Sequence, residues 1–236
     1  MGISENVYKA FSTASTATIQ NQLFIRGLRN RFLNGVMLRT PSHSRFVAEA
    51  FTLRFIPARE DLDKVEAFKD PLHPQRLAIE SVEPGQALIV DSRNDPRAAS
   101  AGEILLTRLA KRGGLAFITD GAVRDSHELD SIGIPIFTAG ITANTNLIHH
   151  HVVDFQLPIG CAGVAVFPGD ILVGDAEGVL VVPKEIAPEV AESSSEQHYL
   201  EEFILEKVRS GAQLPGTYPP SEELLKEFNK NRAGRD

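Results

Sequence analysis

Five apolar runs crowd into fewer than fifty residues, at 134–137, 152–157, 162–167, 171–173 and 179–182, and glycines, prolines and acids fall between most of them. Runs this short suit strands rather than helices, and their close spacing predicts a compact, strand-rich core with mixed pairing. Upstream, 46–56 (FVAEAFTLRFI) is rich in strand formers until Pro57 stops it, and 87–91 and 115–119 read as buried strands. PGQALIVD at Pro84 is echoed by PGDILVGD at Pro168, two turn-then-strand phrases ending in Asp91 and Asp175. An internal repeat and convergence on the same turn chemistry explain this echo equally well.

Helical texture frames these strands. Residues 12–28 offer Ser and Thr caps before spaced apolar residues and predict a helix ending near Gly27. An acidic excursion to Pro74 precedes a short helix at 75–82, and 103–111 has helical periodicity. From Glu185 the apolar residues recur at intervals of mostly three or four up to Gly211, and Ser221 is placed to cap a last helix opening with Glu222 and Glu223. The tail NKNRAGRD reads as loose. The expected organisation is an α/β core at 1–184 that includes the N-terminal helix. A helical extension at 185–236 would cover that core or a neighbouring subunit.

Composition narrows the function classes. With 236 residues, 42% of them hydrophobic, the chain can bury a sizeable core. A net charge of −7, with basic residues gathered only near Arg26 to Arg31 and in the short tail, argues against a nucleic-acid or anionic-membrane surface. No apolar run approaches the roughly 20 residues of a membrane span, and the first residues lack a signal-peptide core. The single cysteine, Cys161 in the run GCAGVAV, reads as a buried strand residue and fits a reducing cytoplasm. No G-x-G-x-x-G, P-loop or nucleophile-elbow pattern is present, leaving nucleotide-dependent and serine-hydrolase chemistry without support.

Chemistry concentrates between Gly102 and Glu128. A helix opens at Glu103, a strand follows, and a glycine-containing turn is expected to deliver Arg124 and Asp125. A guanidinium beside a carboxylate suits recognition of an anionic substrate next to a metal ion. Taken singly, such a pair is more often a structural ion pair, and Glu103 an ordinary first-turn acid.

Gly102-Glu103, the spacing to DGAVRD at Asp120 and the block PGDILVGDAEGVLVVP at Pro168 together resemble the RraA-like family over roughly residues 18–211. That family joins metal-dependent 4-hydroxy-4-methyl-2-oxoglutarate/4-carboxy-4-hydroxy-2-oxoadipate aldolases with regulators of ribonuclease E. Twenty residues separate Glu103 from Arg124, as in the family's aldolases, which usually carry Asp at the first place. Arg124 to Glu128 also satisfies the R-D-x-x-E/D pattern of some members. The resemblance implies a swivelling β/β/α fold, assembled as a trimer or a dimer of trimers with sites between subunits. It also implies an Asp125 that holds Mg2+ or Mn2+ and an Arg124 that holds a substrate carboxylate. Gly102 and the amides of Ile104 and Leu105 would cradle the same ligand, and Glu103 would polarise a water. The implied reaction is retro-aldol cleavage of a 4-hydroxy-2-oxo acid to pyruvate, with oxaloacetate decarboxylation through the same enolate. A protein-binding regulator of the ribonuclease E type is the alternative.

In the family a C-terminal glutamate reaches the neighbouring site, a role open to Glu201 or Glu202, though a solvated helix face suits either equally. In the run His149-His150-His151 only the outer two would share a face if the segment is a strand, and a structural role is favoured. The turns Gly169-Asp170, Gly174-Asp175 and Glu177-Gly178 lack EF-hand spacing and read as hairpin turns.

Overall fold

The fold follows from the period-two alternation of strand side chains between apolar clusters, seen in a computed structural model that describes residues 2–233. Strand β2 (Phe46–Pro57) sends Phe46, Ala48 and Ala50 to one apolar cluster and Phe51, Leu53 and Phe55 to another. In β3 (Gln86–Asp91) Ala87 and Ile89 alternate with Leu88 and Val90 between the same two clusters. In β10 (Ile171–Asp175) and β11 (Gly178–Val182), Leu172, Val179 and Val181 point inward while Ile171, Val173, Leu180 and Val182 face a third cluster. Buried on both faces, these strands read as continuous hydrophobic runs, as central strands do.

Among the described residues the sheet has nine strands. Along its path β1 (Met37–Leu38), β6 (Ile136–Ile141), β5 (Phe117–Val123), β3, β2, β10 and β11 are neighbours. β4 (Ala99–Ala101) pairs with β5, and β7 (His150–Phe155) with the far half of β2. The segment leading into β1 almost closes the sheet. Leu33 N–H donates to Val179 O at 2.9 Å and Val181 N–H to Arg31 O at 2.9 Å, so residues 31–38 run from the β11 edge to the β6 edge. A separate hairpin of β8 (Ile159–Cys161) and β9 (Val164–Val166) plugs the interior with Ile159, Cys161, Val164 and Val166. The run GCAGVAV is therefore a hairpin with its turn at Ala162-Gly163, both at positive φ, rather than one strand.

The echoed phrases flank β2 on opposite sides. β3 runs parallel to it and β10 antiparallel, so similar turn chemistry serves two different pairings.

Helices cover the outside. The predicted N-terminal helix is two helices, α1 (Glu5–Thr13) and α2 (Thr16–Ile25), broken where Ser15 caps α2 by accepting from Thr18 N–H at 3.1 Å. The Asp175 carboxylate also takes the Thr16 N–H at 2.8 Å and its hydroxyl at 2.9 Å, a cap supplied from the other end of the chain. α3 (Pro74–Ser81) and α4 (Glu103–Lys111) pack on the second cluster through Ala78, Ile79, Leu106 and Leu109. α5 (Ala187–Arg209) lays Ala187, Val190 and Ala191 on the third cluster beside α1 and α2. α6 (Glu222–Ala233) follows, its Leu224 N–H capped by Ser221 at 3.3 Å. Residues 229–233 of the expected loose tail are helical, and the last three residues lie outside the described ones. No helix among the described residues is long and apolar enough to cross a membrane.

Candidate active site

α4 starts at Gly102, a cap position with no side chain to offer the helix amides. Asp125 takes that place: its Oδ2 accepts the Glu103 N–H at 3.1 Å, where the partial positive charge of a helix start favours a carboxylate. A Cβ on Gly102 would sit 2.6 Å from Asp125 Oδ2 and 2.8 Å from Arg124 Nε. Glycine is thus required by close approach, since its φ of −133° is open to any residue.

Arg124 and Asp125 arrive differently from the expected turn. β5 continues through Gly121 to Val123, with a bulge between Thr119 and Ala122, and the pair follows directly. Gly121 is needed because a Cβ there would lie 2.6 Å from Ser92 Cβ. The turn itself is made by Asp125 at φ +59°, a left-handed position that Asp tolerates better than most residues. Arg124 N–H donates to Ala101 O at 3.1 Å and Glu128 N–H to Asp125 O at 3.1 Å, pinning both sides of the bend.

Buried Asp120 ties the loop after β3 and the turn of the β8–β9 hairpin to β5. Its carboxylate accepts from Ser92 N–H at 2.6 Å, Asn94 N–H at 3.1 Å and Ala162 N–H at 3.0 Å. Burial pushes this carboxyl above its usual range, and the amide donors oppose the shift.

Arg124 Nε stands 3.6 Å from Asp125 Oδ2, with the two side chains 44% and 41% exposed. An ion pair this open adds little stability, so its placement at a helix start beside a cleft needs another reason. The cleft holds about 300 Å³. Gly102, Ile104, Leu105, Arg124 and Asp125 line it on one side. The amides of Ile104 and Leu105 precede the first helical bond, made by Leu106 N–H to Gly102 O, and are free to receive an anion.

The Glu103 carboxylate does not line the cleft and makes no hydrogen bond among the described residues; its backbone N–H is what the site uses. Glu201 and Glu202 lie away from this subunit's cleft. Glu201 accepts from Thr18 Oγ1 at 2.8 Å and from Gln197 Nε2 at 2.8 Å, and Glu202 faces His198 at 3.5 Å. His149 precedes β7, so the histidines do not share one strand. His150 Nε2 meets Ala98 O at 3.2 Å and its Nδ1 meets Arg93 at 3.2 Å, while His151 pairs with Asp63 at 2.8 Å.

A divalent cation fits the chemistry of the pair. Asp125 Oδ1 has no protein partner among the described residues, and one carboxylate facing an open cleft matches how Mg2+ is held, by few protein oxygens, several waters and the substrate. No cluster of three or more His, Cys, Asp or Glu side chains suited to a metal occurs among the described residues, so an all-protein cage does not fit.

The RraA-like family model, described as Aldolase/RraA, matches residues 16–181. The chain belongs to the RraA-like family. A Halalkalibacterium halodurans protein provisionally named 4-hydroxy-4-methyl-2-oxoglutarate aldolase is 36% identical over 107 residues, which are 45% of this chain and 50% of that protein. The aligned part thus spans about half of that relative's length, and the same holds for a Methanocaldococcus jannaschii relative. The solved structure of Streptomyces coelicolor RraAS2, described as an unusual member of the RNase ES inhibitor RraA family, is 26% identical with a TM-score of 0.77. It covers 86% of this chain and 98% of its own. An uncharacterised Pseudomonas syringae protein shares the fold at a TM-score of 0.79 and 22% identity, over 92% of this chain and 99% of its own.

This RraA-like cleft has a second side that the motifs did not reveal. Phe68, Gln75 and Arg76, together with Thr145 and Asn146, line it from two distant segments. Gln75 Nε2 donates to Ser100 O at 2.6 Å, and Asn146 Nδ2 to Gln75 Oε1 at 3.3 Å, a locked pair of amides. The acidic excursion of the sequence contributes Phe68 through a 3-10 turn at Val65–Lys69. No local pattern marks these residues, because nothing in their own neighbourhoods requires them to meet.

Proposed function

We propose that this RraA-like protein is a divalent-metal-dependent lyase that cleaves a 4-hydroxy-2-oxo acid to pyruvate. The observation that carries the reading is the Arg124-Asp125 pair held against the start of α4 on one side of a cleft. Arg124 binds the carboxylate of the 2-oxo acid, where a planar fork orients it in two directions. The Ile104 and Leu105 amides hold the same end and face the oxygen on which negative charge develops. Asp125 would hold Mg2+ or Mn2+, which when bound supplies Lewis acidity toward the 2-oxo acid. Cleavage breaks the C3–C4 bond as the 4-hydroxyl proton leaves to a water in the cleft, giving a carbonyl product and a pyruvate enolate that is then protonated. Oxaloacetate decarboxylation yields the same enolate and is a second activity of the same site.

The protein works as a homo-oligomer, a trimer or a pair of trimers, with Glu201 or Glu202 of a neighbour completing the site. The 81% exposure of Ile104 at the cleft rim supports a covering partner. The likeness to RraAS2 supports a second reading, a protein-binding regulator of a ribonuclease E-type enzyme. Pyruvate release from a panel of 2-oxo acids, with and without EDTA, tests the enzyme. Expected are Mg2+-dependent turnover and its loss in Asp125→Asn, which keeps an acceptor for the Glu103 amide. Turnover that survives both EDTA and Asp125→Asn would sink the metal site. Capture of ribonuclease E with no turnover of any 2-oxo acid would favour the second reading.

A further inference from the structure

The cleft contains a second guanidinium that the proposed chemistry does not use. Arg76, on the first turn of α3, lines the wall that also carries Phe68, Gln75 and Asn146. Its Nη1 donates to the carbonyls of Phe68 and Asp70, and its guanidinium carbon sits 5.7 Å from the centre of the Phe68 ring. Carbonyls and a ring face orient a cation without neutralising it. Arg76 forms no ion pair among the described residues, whereas Arg108 and Arg112 share Glu80 and Arg54 has Asp154.

Most polar groups around it are occupied; the exception is the buried His73 Nδ1, which has no partner among the described residues. Gln75 and Asn146 bind each other and Ser100 O, Asn146 Oδ1 takes the Leu147 N–H at 2.9 Å, and Asp70 Oδ1 takes the Leu72 N–H at 2.8 Å. Arg76 is therefore the charged donor left on that wall, half-buried and already oriented. Two guanidiniums face the cleft against the one carboxylate of Asp125, and a divalent cation held by that carboxylate would raise the surplus to three positive charges, more than a monoanionic ligand matches.

We propose that Arg76 is a specificity-determining residue, whose guanidinium takes a second carboxylate at the end of the substrate distal to the 2-oxo acid. The inference rests on the reading of the cleft as a 2-oxo-acid site and adds the residue that selects among such acids. A planar fork with a fixed stem rewards a carboxylate at one distance, so chain length and terminal charge are read together.

Calorimetric titration of the Mg2+-loaded, full-length protein with 2-oxoglutarate and with 2-oxopentanoate tests it, since the two ligands share the 2-oxo-acid end and differ at the far end. The wild type is expected to prefer 2-oxoglutarate by about tenfold or more. Arg76→Gln, which keeps a donor for the Phe68 and Asp70 carbonyls, is expected to erase that preference while 2-oxopentanoate binds as before. Arg76→Lys should restore part of it, and salt should weaken it. Equal wild-type affinities overturn the proposal alone, as does a loss in Arg76→Gln that is the same for both ligands. Failure of both ligands to bind the wild type overturns the 2-oxo-acid reading and this proposal together.

Discussion

Single atoms decide how the site is built. At Gly102 one methyl group would collide with both Asp125 Oδ2 and Arg124 Nε, the groups on which the proposed chemistry depends. Gly102→Ala is expected to lower 2-oxo-acid turnover about 100-fold, the scale of loss that a misplacement of 1 Å produces, with the fold retained by circular dichroism. Buried His150 sets a pH limit. Burial, the largest cause, lowers its pKa below the usual 6.5, and it lies between Arg93 and the Ala98 carbonyl next to the cleft-lining strand β4. Burial lowers His73 in the same direction. Well above pH 6.5 His150 is neutral in both the folded and unfolded chains and costs nothing. Below it the unfolded chain takes up a proton that the folded one resists, so stability falls with pH, by up to about 1.4 kcal/mol per pH unit for this group. Urea midpoints measured from pH 7.5 down to 5 should show that slope, and His150→Gln should flatten it.

Elements are held by residues far away in the chain. α2 owes its start to Ser15 and also to Asp175, which serves Thr16 and lies 3.4 Å from Arg45, whose guanidinium reaches the carbonyls of Phe11 and Ala14. Asp175→Ala removes the anchor for α1, α2 and the end of β10 at once. It is expected to cost about 1–3 kcal/mol, the penalty for leaving buried donors unmet, measurable as a shift in denaturant midpoint. The helix at 103–111 has the bounds that its periodicity predicts, because its apolar spacing and the Gly-Gly stop at 113–114 lie within one short segment. The helix expected at 12–28 does not, because Ser15 caps a new helix inside that span and the break at Ala14 is stabilised from outside by Arg45. Likewise the strand expected at 115–119 slides to Phe117–Val123, since register with β3, β4 and β6 determines where pairing begins and ends.

Across the whole molecule, three apolar clusters share the alternating faces of one sheet, and α5 belongs to the third while α6 belongs to none of them. α6 is attached at the surface, through Phe203–Phe228 and Lys207–Glu227. A chain ending after Ser210 is expected to melt within a few degrees of the full length. One ending after Pro183 uncovers the faces that Ala187, Val190 and Ala191 protect and should be recovered only as aggregate, as light scattering would show. By itself the sequence determined what local chemistry controls. Apolar periodicity located most of the longer strands and the cleft helix, turn residues the echoed entries to β3 and β10, and motif spacing singled out Gly102, Arg124 and Asp125 as site candidates. Only the tertiary structure decided the order of the strands and the near closure of the sheet by residues 31–38. It alone replaced a helix cap by Asp125 and brought Arg76, Gln75, Phe68 and Asn146 to one cleft. Those arrangements join residues dozens to more than a hundred positions apart. Their stability comes from burial and hydrogen bonds that exist only once the sheet has formed, so no stretch of neighbouring residues encodes them.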